Sequence, residues 1–91
     1  MSVLSDADET INGPRESTYG SPGIFCSRVA TLWTGYFMAK GHDITITPSD
    51  IPLLMTQFKM ARLMTDPGHR DSVEDMAGYA GIYARVRGLD A

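Results

Sequence analysis

Ninety-one residues with one cysteine, a net charge of −3 and a pI near 5.1 exclude several classes at once. Broad, non-specific nucleic-acid binding needs a basic field, which an acidic chain does not supply. Cys26 has no second thiol within the chain, so no internal disulfide is available and a reducing, cytoplasmic setting is expected. A chain this short buries only about 60–65% of its unfolded surface, so a partner subunit is expected to supplement the core, a dimer being the simplest case.

In chain order, "MSVLSDADET" has neither a basic start nor an apolar stretch, so no secretory leader is expected. "SDADETING" has the makings of a short N-terminal helix, with Ser5 as cap and Gly13-Pro14 as stop. The rest of residues 1–21 is polar and rich in turn formers. The first long helix is expected over about 22–40, with Pro22 in its first turn and Gly41 beyond its end. Phe25, Val29, Leu32, Trp33 and Tyr36 share one face at helical spacing. Cys26 reads as a small buried residue. The apolar segment 23–39 contains Arg28 and several hydroxyls and is marginal in length for a bilayer, so no membrane span is expected.

"GHDITIT" alternates β-branched residues but is too short to pair alone, and it reads as a loop. The second helix is expected over about 49–64. Thr47 and Asp50 suggest a capping box, and a start at Ser49 or Asp50 accommodates Pro52. "TDPGH" ends it. The third helix is expected over about 71–87, with Asp71 as the cap-type acid three residues before Glu74 and Gly88 after the end. The whole is expected to be one all-α domain over 1–91, a small bundle of three main helices.

Polar groups within apolar patterns mark the candidate site. On the second helix Ile51, Leu54, Met55 and Phe58 form a stripe with Arg62 inside it and Lys59 at its edge. Leu53, Met60 and Met64 lie on the opposite side, as in a central helix or one at a subunit interface. On the third helix Val73, Met76, Ala77, Ala80 and Ala84 form the expected main face. Asp71, Asp75, Tyr79, Ile82 and Val86 form a second. A short loop makes the two helices antiparallel neighbours. Asp75 or Asp71 is therefore expected to pair with Arg62 or Lys59, with Arg62 the favoured partner. His69, Asp71, Asp75 and Tyr79 form a structural polar cluster. Arg15, Tyr19, Lys59 and Arg62 form a candidate ligand site, because guanidinium and ammonium groups suit phosphate or carboxylate and Tyr19 can stack on a base or donate a hydrogen bond.

The spacing His69-x-Asp71-x3-Asp75 is a weak metal pattern, and no metal, cofactor or catalytic residue is expected from it. A Gly-rich phosphate loop and a nucleophile elbow are both lacking.

The order Arg15-x3-Tyr19-Gly20-x-Pro22, Leu32-Trp33, Lys59-x2-Arg62 and His69-x-Asp71-Ser72-x2-Asp75-x2-Gly78-Tyr79 resembles a small uncharacterised family encoded by bacteriophages, prophages and actinobacteria. The resemblance covers about residues 9–86 and implies viral origin and an all-α domain. A more distant likeness is to all-α nucleoside triphosphate pyrophosphatases, which hold magnesium with Glu-x2-Glu and Glu-x2-Asp motifs. Here Lys59-x2-Arg62 stands at the comparable place on the second helix, and Ser72-x2-Asp75 keeps part of the other motif. The leading expectation is a non-enzymatic phage accessory protein that binds or sequesters a nucleotide or another anion in the host cytoplasm. The alternative is a phage protein that binds a host protein to alter growth or defence. A degenerate pyrophosphatase-like enzyme is the third.

Overall fold

The computed structural model describes residues 21–89. Within them the chain forms α1 (Pro22–Ala39), α2 (Asp50–Thr65) and α3 (Arg70–Val86), and no strand. The all-α bundle of three helices expected from the sequence is the fold, and each boundary falls within one residue of the expected one. The expected N-terminal helix around Ser5 lies outside the described residues.

Local chemistry explains the boundaries. Ser21 caps α1 by accepting the Ile24 N–H through Oγ, and Pro22 sits where its missing N–H costs nothing. Beyond the last turn Gly41 takes φ 87°, a left-handed conformation that favours glycine. Gly88 does the same after α3, at φ 69°.

At α2 the helix begins at Asp50, so Thr47 is not the cap. The reach-back half of the expected box is nevertheless present. Asp50 Oδ2 accepts the Thr47 N–H at 2.8 Å and the Thr47 hydroxyl at 2.9 Å. Pro52 therefore falls in the first turn, and it is fully buried.

The core is small: Cys26, Ala30 and Ile51 are buried, with Val29, Trp33, Ile46, Met55, Ile82 and Val86 packed around them. This corrects the expected face of α1. Phe25, Leu32 and Tyr36 are exposed, and the buried face is turned toward Cys26 and Ala30 by somewhat less than one residue step, which is ~100° in a helix. The buried positions of α1 are small side chains one helical turn apart, at i and i+4. The face of α3 is corrected likewise. Ile82 and Val86, assigned to its second face, pack on the core, whereas Val73 and Ala80 are exposed.

The helices are unequally joined, with α2 and α3 sharing the most extensive contact. The connector after α1 is held at one point, where Thr34 Oγ1 accepts the Ile46 N–H at 2.9 Å and donates to the Ile46 carbonyl at 3.3 Å. That bracket turns Ile46 into the core.

Candidate functional site

The α2–α3 turn is built around a histidine. His69 is the N-cap of α3, its Nδ1 accepting the Ser72 N–H at 3.2 Å and lying 2.8 Å from Ser72 Oγ. An Nδ1 that accepts the amide is unprotonated, so the ring proton sits on Nε2 and the Ser72 hydroxyl is the donor. Ser72 is fully buried beneath this contact. The cap expected at Asp71 is therefore two residues earlier. Asp71 lies in the first turn, exposed, where its charge suits the positive helix end. Histidine is an unusual cap, and its preference for that place is not visible in composition.

From this turn the helices run antiparallel, which brings Lys59 Nζ to 3.0 Å from Asp75 Oδ2. An acid of α3 does face a base of α2, but the favoured partner was the wrong one. Arg62 is exposed and makes no ion pair among the described residues. At ~100° per residue, Lys59 points more directly at α3 than Arg62 does, and a flexible ammonium stem reaches a carboxylate from the edge of a stripe as readily as from its centre. Phe58, expected in the same stripe, is also exposed, so the core side of α2 is carried by Ile51, Pro52 and Met55.

The Lys59 and Asp75 side chains keep 29% and 35% exposure, so solvent screens the pair. Asp75 lies on the side of α3 that also carries Ser72, Tyr79, Ile82 and Val86, recurring at three- and four-residue steps. Tyr79 is half-buried there. On the solvent side, Arg70 Nε contacts Glu74 Oε1 at 2.7 Å.

The expected ligand residues are thus only partly described. Lys59 and Arg62 stand one helical turn apart on α2, while Arg15 and Tyr19 lie outside the described residues. Burial raises the Cys26 thiol above its ordinary range, which keeps it a protonated core group. Among the described residues no three His, Cys, Asp or Glu side chains converge as a metal set. No helix there is long and apolar enough to cross a membrane.

The chain is similar to the Gene 55 protein of Mycobacterium phage L5, with 39% identity over 87 residues, 96% of this chain and 53% of that protein. The Gene 55 protein of Mycobacterium phage D29 matches with 39% identity over 85 residues, 93% of this chain and 53% of that protein. The chain therefore spans about half the length of these curated relatives. No solved structure matches it. Residues 2–87 fit the model of the domain of unknown function DUF6378, the family to which this chain belongs.

Proposed function

We propose that the chain is a non-enzymatic phage accessory protein that binds a nucleotide or another phosphate-bearing anion in the host cytoplasm. Lys59 and Arg62 would supply the cationic contacts from α2, with Arg15 and Tyr19 contributing from the N-terminal segment. The observation that supports this reading is the exposed Arg62 guanidinium, one turn from Lys59 and without an ion pair among the described residues. A guanidinium left to solvent retains the forked donor pattern that matches two phosphate oxygens. Lys59, held by Asp75 in a half-buried pair, can exchange its carboxylate for a phosphate oxygen at modest cost, because the screened pair is weak.

A panel of linear and cyclic nucleotides, read by the thermal midpoint, tests this. A ligand that binds the native state adds about 2.7 kcal/mol of stability at one hundred times its dissociation constant and raises the midpoint accordingly. Arg62→Ala is expected to abolish the shift and Lys59→Ala to weaken it, both with helical content intact. A panel that leaves the midpoint unmoved sinks the reading.

A second reading, docking on a host bacterial protein, is favoured by the exposed Leu32, Tyr36 and Met38 of α1. The pyrophosphatase-like reading is less well supported: Asp75 is engaged by Lys59, where a metal clamp would bring a second carboxylate. Magnesium-dependent turnover of a nucleoside triphosphate that requires Asp75 would promote it.

A further inference from the structure

Of the two histidines in the chain, His42 lies exposed in the connector, whereas His69 is built into the α2–α3 turn. His69 is half-buried, and its Nδ1 faces two donors of one residue, the Ser72 N–H at 3.2 Å and the Ser72 hydroxyl at 2.8 Å. Only a neutral imidazole can accept there. An imidazolium carries a proton on each ring nitrogen and has no lone pair to offer. Its charge would also stand at the positive end of α3. The Ser72 hydroxyl can turn to accept the new proton, but the Ser72 N–H then keeps only the His69 carbonyl, at 3.2 Å. Because Ser72 is fully buried, water replaces the lost acceptor only after the turn opens.

The charged groups around the ring are Asp66 at the end of α2 and Arg70, Asp71 and Glu74 at the start of α3. Glu74 is engaged by Arg70 at 2.7 Å, and no ion pair joins His69 to Asp66 or Asp71 among the described residues. The helix α1 meets the hairpin around Ile51, about 20 Å along α2 from this turn, so its one charged residue, Arg28, does not face His69. We infer that the α2–α3 turn is a proton-operated latch: a proton taken up by His69 releases the cap, frays the first turn of α3 and exposes Ser72. The latched turn binds one proton fewer than the released one. Latching is therefore complete near pH 8 and is lost as pH falls toward about 5, the interval in which a histidine changes charge. Neither Lys59 nor Arg62 takes part, so this inference stands independently of anion binding.

Amide hydrogen exchange at Ser72, Val73 and Glu74, read by NMR on the full chain, tests it. Asparagine caps helices well and does not titrate, so His69→Asn is the reference. Dividing the wild-type rate by the variant rate at each pH cancels the intrinsic pH dependence of exchange. That ratio is expected to rise about fivefold between pH 8 and pH 5, the worth of one cap. His42→Asn is expected to leave the rise in place. In the wild type the faster exchange should also follow the titration of the His69 ring, seen in its own nitrogen chemical shifts, which decides the matter even if a variant folds poorly. A ratio that stays constant with pH overturns the inference, as does a rise that disappears in His42→Asn or that follows the His42 ring instead.

Discussion

The α2–α3 hairpin and α1 are both helical, yet different kinds of interaction hold them. The hairpin closes over a four-residue turn, Asp66–His69, and is fastened by the His69–Ser72 cap and the Lys59–Asp75 pair. Its contacts are local, so little loop entropy opposes them. By contrast, α1 reaches the hairpin across a longer connector. It docks through small side chains, Cys26 and Ala30 on Ile51, and through the Thr34 bracket on Ile46. Few apolar groups and one paired hydroxyl carry that docking, so α1 should open at lower free energy than the hairpin.

Ile51→Ala gives the largest expected effect. Among the described residues it removes the one large buried aliphatic side chain, which packs between α1 and α2, at a cost of about 2–5 kcal/mol. Urea denaturation measures the loss. Hydrogen exchange should show α1 amides unprotected before those of α3, and simultaneous loss in all three helices would erase the distinction.

Thr34→Val keeps the side-chain volume and removes both bonds to Ile46. The half-buried Ile46 amide then has no partner, which costs about 1–3 kcal/mol. The same experiment should again find α1 loosened and the hairpin unaffected.

Asp75→Asn is the smallest. Although it breaks the most visible inter-helix ion pair, the groups are about a third exposed, so the expected loss is under about 1 kcal/mol. A loss of several kcal/mol would show that the pair is effectively buried and that the hairpin depends on it.

The sequence conveys these two regions unequally. Helix ends were legible because Pro22, Gly41, Pro67 and Gly88 act locally, whatever the helices pack against. The faces were less so. Phe25, Leu32 and Tyr36 carry more apolar surface than Cys26 and Ala30, so periodicity weighted by hydrophobicity points to the wrong side of α1. The buried positions of α1 are held by small residues, and hydrophobicity does not rank those highly. The site followed the same logic. That an acid of α3 should meet a base of α2 follows from antiparallel neighbours joined by a short turn. Which base it meets depends on a difference of one position on the helix, and on a histidine cap that sets where α3 begins. The Thr34–Ile46 bracket leaves no pattern in the sequence at all.

The lone buried thiol has a practical consequence. Cys26 lies under α1 where it meets the hairpin, and burial keeps it protonated. A thiol reagent in solution can reach it only while α1 is lifted away. The rate at which an unmodified chain is alkylated therefore times that opening, without any label being introduced. Protein chemistry thus has a native stopwatch for the weaker half of the fold, running on one atom of sulfur.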